Sequence, residues 1–249
     1  MKFLFIVQGE GRGHFTQAIT LEEMLLRNGH EVVEVLVGKS STRTLPGFFN
    51  RSIHAPVKRF ISPNFLPTAD NKRANLTKSF AYNLLKLPEY IRSMYYINQR
   101  IRETGAEDVF IFYDLLTGLP YALFRPSVPY ICVGHQYLFL HHDFEFPDKS
   151  SCQLWMLRFF TRMTALKSSK KLALSFREME QDDNNQIVTV PPLIRQEVTA
   201  IRPEEGNYIH GYMVNSGFAD SVEHFHARHP EVPLTFFWDK SDTEEVIRV

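Results

Sequence analysis

Apolar positions in this chain form short unbroken runs, separated by stretches in which they recur at helical spacing. Lys2 to Val7 is almost continuously apolar, the pattern of a strand buried on both faces of a parallel sheet. From Phe15 the period changes, and Ala18, Ile19, Leu21, Leu25 and Leu26 predict a helix that Asn28-Gly29 stops. A buried strand is predicted again at 31–37 and a third strand at 57–61, with a short helix or loop over 39–50 between them. Residues 75–103 carry a long helical pattern, which Pro88 kinks or divides. Further strands at 108–113, 129–133, 171–176 and 187–190 alternate with helices over 115–124 and 153–167. Such alternation predicts an α/β fold, a Rossmann-like doubly wound parallel sheet.

After Pro191-Pro192 the segment IRPEEG (201–206) reads as a linker. A strand, helix and strand follow, at 208–214, 219–228 and 233–238. One such unit cannot bury both faces of its sheet, so it either adds to the first domain or opens a second. The expected organisation is a domain over 1–200, a linker at 201–206, and the first βαβ of a second Rossmann-like domain over 207–249.

Composition narrows the class. Of 249 residues, 44% are hydrophobic and 22% charged, as in a soluble globular protein with a real core. The formal charge is zero, which removes any global nucleic-acid signature. Two cysteines, Cys132 and Cys152, imply a reducing compartment and no disulfide framework. The apolar run after Met1 is too short for a signal peptide or a membrane span, so a cytoplasmic location is expected. Charge is nevertheless uneven. Residues 39–102 hold twelve basic side chains against Asp70 and Glu89, a local +10 interleaved with aromatics. Such a stretch suits an anionic membrane surface or an acidic substrate, or it is a solvated face over an aromatic core.

The turn between the first strand and helix, GEGRGH, holds the densest candidate chemistry. Gly9, Gly11 and Gly13 allow positive φ and close approach of a ligand. The helix that follows aims its unpaired N–H groups at whatever lies above the sheet edge, a site for an anion or a polar oxygen. His14 stands at the mouth of that site, the titratable group there that exchanges a proton near neutral pH, or else a simple helix cap. Asp114 occupies the equivalent place after another strand, where it either works in the cleft or caps the helix beginning at Leu115. His135-Gln136 follows a third strand. Asn215-Ser216-Gly217 is a turn of the same kind in the last βαβ unit. No metal site is expected. His141, His142, Asp143 and Glu145 read as a solvated loop, and His224, His226 and His229 as surface residues of a helix.

Several segments together resemble the GT-B glycosyltransferases: FLFIVQGEGRGHFTQAITLEEMLLRNGHEV, YDLLTGLPYAL, ICVGHQ, VPPLIR, NYIHGYMVNSG and HPEVPLTFFWDK. The nearest resemblance is to a microbial branch related to the lipid-linked N-acetylglucosaminyltransferase of peptidoglycan synthesis and to the UDP-glycosyltransferases. It implies two Rossmann-like domains facing each other, the first holding the acceptor and the second a nucleotide-sugar, here UDP-linked, as co-substrate without a separate cofactor. The family's donor-binding glycines and carboxylate have no counterpart in this sequence, which implies an acceptor domain plus the start of a donor domain. His14 falls where relatives place the general base, and Asp114 where some place the carboxylate that orients it. By the same resemblance Gly11, Arg12, Gly13, Thr16, His135 and Gln136 are acceptor contacts, and Asn215, Ser216 and Gly217 donor contacts. The implied partners are a nucleotide-sugar, a glycan or lipid-linked acceptor, and an anionic membrane at residues 39–102, placing the protein at the inner face of the membrane.

Three other readings compete. A nicotinamide-binding protein is disfavoured, because His14 replaces the third glycine of the fingerprint and no acid ends the second strand. A nucleotide-sugar epimerase shares the two-domain architecture. A non-catalytic relative that only binds a glycan or lipid is the alternative from another class.

Overall fold

The computed structural model describes residues 1–39, 45–63, 66, 76–146, 152–213 and 216–238. Its elements in the first half are β1 (Lys2–Val7), α1 (Arg12–Arg27), β2 (Glu31–Lys39), α2 (Gly47–Ser52) and β3 (Val57–Ile61). Then come α3 (Leu76–Leu85), α4 (Leu87–Glu103), β4 (Asp108–Phe112), α5 (Leu115–Leu123) and β5 (Tyr130–Val133). The last part holds α6 (Cys152–Thr164), β6 (Lys170–Leu174), β7 (Ile187–Val190), α7 (Gln196–Thr199), β8 (Ile209–Met213), α8 (Ala219–Arg228) and β9 (Leu234–Trp238). Short 3-10 turns cover His135–Leu140, Asp183–Asn185 and Ser216–Phe218.

Seven strands form one parallel sheet in the order β3-β2-β1-β4-β5-β6-β7. The order reverses between β1 and β4, so the chain leaves the sheet in opposite directions from two adjacent strands. Such a switch point, beyond the carboxyl ends of the strands, is where doubly wound sheets form the crevice that takes a ligand. The unbroken apolar runs are explained by burial on both faces. Leu4 and Ile6 face one cluster with Ile97, Ile101 and Tyr130, while Phe5 and Val7 face another with Phe15, Ile19 and Phe49. The long helical pattern is divided, as Pro88 predicts: α3 ends at Leu85 and α4 begins at Leu87, with the proline in its first turn. The apolar face of α4, with Tyr90, Met94, Ile97 and Ile101, packs on the sheet.

Two buried carboxylates tie helices and loops to this framework. Glu34 of β2 receives a two-pronged pair of hydrogen bonds from Arg100 of α4 and an ion pair from Lys58 of β3. Burial works against its charge, but the bonds from Arg100 and then Lys58 hold its carboxyl below the ordinary value. Glu22 of α1 accepts the backbone N–H groups of His54 and Ala55 ahead of β3. Three bases of the stretch 39–102 therefore have acidic partners, Lys58 and Arg100 in Glu34 and Lys86 in Glu89.

The chain divides into two compact units. One comprises Met1–Asn64 and Leu85–Ala200 and contains the seven-stranded sheet. The other comprises Phe65–Leu84 and Ile201–Val249, in which β8 and β9 pair in parallel across α8 as a single βαβ. Among the described helices none is long and apolar enough to cross a membrane.

Candidate functional site

β1 ends at Val7 and the chain crosses the sheet edge through the glycine turn. None of the three glycines has a positive φ, contrary to the sequence expectation; among the described residues the positive-φ glycines are Gly29, Gly105 and Gly134. The turn needs glycine for another reason at Gly9. A Cβ there would sit 1.8 Å from the Gly38 carbonyl oxygen, so β1 and β2 approach at this point only without side chains. Above Gly13 nothing lies within 4 Å of a Cβ, and above Gly11 only the His14 ring at 3.9 Å, so these two border open space.

α1 begins at Arg12 with Gly11 as its N-cap, extended and without a side-chain capping bond. The N-cap residue therefore offers no side-chain bond to the N–H groups of this first turn, and no acid lies among them. Arg12 is exposed, and the Thr16 hydroxyl donates to the Gly13 carbonyl within the same turn, at 2.8 Å.

His14 is buried in this first turn. Its ring lies against Tyr113 at the end of β4, with centroids 6.0 Å apart and planes at 17°. Gln136 Nε2 approaches His14 Nε2 at 3.3 Å from the turn after β5. Gly134 makes room for that side chain, since a Cβ there would meet Gln136 Oε1 at 2.8 Å. Burial, and next the charge of nearby His135, push the His14 pKa down to about 4, while Gln17 opposes the shift. The imidazole is therefore neutral at pH 7 and a weaker base than an ordinary histidine, so it does not titrate near neutral pH as the sequence suggests. His14 Nδ1, Gln17 Oε1 and Gln136 Oε1 are all buried without a hydrogen-bond partner. His135 itself is exposed, and partial burial lowers its own pKa.

Asp114 departs from the expectation that it orients His14. It makes no hydrogen bond to the imidazole. Its Oδ1 caps α5 by accepting from Leu116 N at 2.9 Å and from Thr117 Oγ1 at 3.4 Å, and its Oδ2 accepts from Ser62 Oγ at 2.8 Å. Gly38 is bare where the carboxylate crosses β2, since a Cβ would come within 2.9 Å of Asp114 Oδ2. Fully buried, the carboxyl is pushed up to about 6, against the pull of those hydrogen bonds. The capping alternative is what the geometry contains.

The structure thus brings Gly11, His14, His135 and Gln136 together, with Arg12, Gly13 and Thr16 in the same turn. Asn215 lies outside the described residues. Ser216 and Gly217 form a 3-10 turn ahead of α8 in the second unit. Sequence reasoning passed over Tyr113 and Gln17. Tyr113 holds φ 59°, a left-handed backbone costing about 1–2 kcal/mol in a non-glycine residue. Its hydroxyl bonds Thr161 Oγ1 at 2.8 Å and its ring meets Tyr137 edge-on at 5.7 Å, which hold it there. Gln17 was legible as the residue one helical turn beyond His14.

In the histidine-rich loop His142, Asp143 and Glu145 are exposed, as expected of a solvated segment, but His141 is a structural junction. His141 is buried and uses both ring nitrogens, Nε2 with the Glu180 carbonyl at 2.9 Å and Nδ1 with Asp143 N at 3.1 Å. His142 Nδ1 lies 3.2 Å from Asp182, whose carboxylate, though buried, is drawn down to about 2 by bonds from Asn185 and His142. Ligand atoms of His141, His142 and Asp182 lie within 4.8 Å of one another, but His141 has no nitrogen left for a metal.

A family profile described as Glycosyl transferase family 1 matches residues 1–237. Among curated protein sequences none matches. Similar solved structures include UDP-GlcNAc 2-epimerase from Neisseria meningitidis bound to UDP-GlcNAc, at 12% identity and TM-score 0.58, over 97% of this chain and 67% of that one. Arabidopsis thaliana UGT89C1 complexed with UDP-L-rhamnose aligns at 14% identity and TM-score 0.55, over 98% and 66%. Phytolacca americana UGT2 complexed with UDP-2fluoro-glucose and pterostilbene aligns at 13% and 0.51, over 86% and 59%. At these identities the likeness establishes the fold, and this chain spans about three fifths to two thirds of the length of those proteins.

Proposed function

Because the chain belongs to glycosyl transferase family 1, we propose that it is the acceptor-holding part of a GT-B enzyme that moves a hexosyl group from a UDP-linked donor to a hydroxyl of a glycan or lipid-linked acceptor. The observation that carries this reading is His14, a neutral buried imidazole at the glycine-capped start of α1, beside the switch point of the sheet. In the proposed reaction the acceptor hydroxyl gives its proton to His14 Nε2 as its oxygen attacks the anomeric carbon. The bond from that carbon to the diphosphate oxygen breaks, and the nucleotide diphosphate leaves with the electron pair. Attack opposite the leaving group inverts the anomeric centre. Gln136, now within 3.3 Å of Nε2, gives way to the acceptor hydroxyl. Residues 207–249, with Asn215, Ser216 and Gly217, belong in this reading to the donor half.

The test is transfer of radiolabelled sugar from a panel of UDP-sugars to lipid-linked and free glycans by the longest product of the reading frame. Transfer in wild type that His14→Gln abolishes supports the reading. An acceptor-independent change in the donor sugar would instead assign the chain to the epimerases whose fold it shares. Binding of glycan without either reaction would leave it a non-catalytic relative.

The reading includes peripheral attachment to an anionic membrane through the basic, aromatic stretch 39–102. It is supported by the outer face of α4, where Leu87, Ile91 and Tyr95 are exposed at successive turns beside exposed Arg92. Sedimentation with phosphatidylserine vesicles should be lost in 0.5 M salt or, if salt-independent, would remove this part.

A further inference from the structure

His14 is held by an arrangement that lacks the expected carboxylate, and its surroundings show what takes that place. His14 and Gln17 lie three residues apart in α1, so their side chains rise from the same side of the helix. Gln136 presents its amide nitrogen to His14 Nε2. An amide nitrogen only donates, so the ring nitrogen opposite is the acceptor and the neutral imidazole carries its proton on Nδ1. The bare α-carbon of Gly134 favours this orientation of the amide, because it leaves space for Gln136 Oε1.

Nδ1–H is then a buried donor, and beside it Gln17 Oε1 is a buried acceptor; neither has another partner. Left unmet, each carries the desolvation penalty of a buried polar group. We infer that the Gln17 amide, rather than a carboxylate, receives the Nδ1 proton of His14 and so fixes the tautomer whose Nε2 lone pair faces the crevice. This rests on the reading of His14 as the proton acceptor for the sugar-transfer step and adds a positioning residue to it.

The other groups around the ring do not supply the missing charge. Tyr113 stacks on it, His135 opposes its protonation, and Asp114 is engaged with Ser62, Leu116 and Thr117. The distinction has a chemical consequence. A carboxylate both orients an imidazole and stabilises its cation, whereas an amide carbonyl only orients it. His14 therefore stays neutral well into the acid range, and the proton it receives during transfer is weakly held and readily passed to solvent.

The test needs no substrate, so it is decided separately from the transferase reading. Long-range proton–nitrogen NMR correlation on 15N-histidine-labelled protein, with His14 assigned by its loss in His14→Gln, reports which ring nitrogen is protonated and the titration midpoint. The expected result is the Nδ1–H form in wild type, with Gln17→Leu giving a mixture of tautomers. Asp114→Asn should leave the tautomer unchanged. In Gln17→Glu, which restores a carboxylate at this place, the midpoint should rise by about 1–3 pH units. An Nε2–H form in wild type, or a tautomer lost in Asp114→Asn but kept in Gln17→Leu, would overturn the inference. If Gln17→Leu fails to fold, the direction of the shift in Gln17→Glu decides, and no rise overturns it.

Discussion

β1 and β4 lie side by side in the sheet, and each runs at its carboxyl end into a helix, but the two junctions treat their polar atoms in opposite ways. At β4 the aspartate at the helix cap satisfies Leu116 N, Thr117 Oγ1 and Ser62 Oγ together, and nothing about it is left open. At β1 the helix has a glycine cap with no side-chain bond, and Gln136 Oε1, on the amide that approaches His14, is buried without a partner. The residues are of the types from which active sites are built in both places. What separates them is saturation: a buried polar group with all its bonds made is part of the scaffold, and one with bonds missing awaits a ligand.

The largest effect that separates the junctions is on rate. His14→Gln should lower sugar transfer by about 10²–10⁴-fold, the usual contribution of a general base, whereas Asp114→Asn should lower it less than about tenfold because the cap acceptor survives. Initial rates of the two variants measure this, and equal losses would erase the contrast. Stability against pH gives the next largest effect. His14 has a folded value of about 4 against 6.5 unfolded, so between those values the unfolded chain holds the extra proton and stability rises with pH. Asp114 has a folded value of about 6 against 3.8, so over that interval the folded chain holds the proton and stability falls with pH. Each slope is about 1.4 kcal/mol per pH unit, and from pH 4 to 6 they cancel. Relative to wild type, His14→Gln should therefore lose stability as pH rises from 4 to 6, and Asp114→Asn should gain it. Urea denaturation at several pH values reads both signs.

Much of this was legible in the sequence because double burial leaves an unmistakable trace. The central strands β1, β4 and β5 are apolar runs, unlike the edge strand β3 with its exposed Lys58 and Arg59; Pro88 marks the break between α3 and α4, and the glycine turn with His14 announces the first strand–helix junction. The role of Asp114 was legible only as a pair of alternatives, since a carboxylate after a strand reads the same whether it caps or catalyses. Deciding between them required Ser62, fifty-two residues away, and Gly38, which clears its path. Tyr113 was read only as the end of a strand, because its left-handed backbone depends on tertiary contacts with Thr161 and Tyr137. His141 misled for a related reason: polar neighbours in sequence suggested a solvated loop, but its partner is the Glu180 carbonyl, far along the chain.

Smaller effects sharpen the contrast within the β1 junction itself. Gly9→Ala places a methyl group against the Gly38 carbonyl and should destabilise by about 1–3 kcal/mol or more, while Gly13→Ala meets open space in a helical turn and should stabilise by up to about 1 kcal/mol. If Gly13→Ala nevertheless impairs transfer, the space above it is reserved for acceptor rather than for packing. The smallest effect comes from His135, whose charge is second to burial in depressing His14. His135→Ala should raise the His14 midpoint, by less than about one pH unit because burial remains. The sign matters more than the size. A rise places His135 electrostatically in the same site as His14, extending the open junction from β1 to β5, whereas an unchanged midpoint would confine it to the turn at β1 and to Gln136.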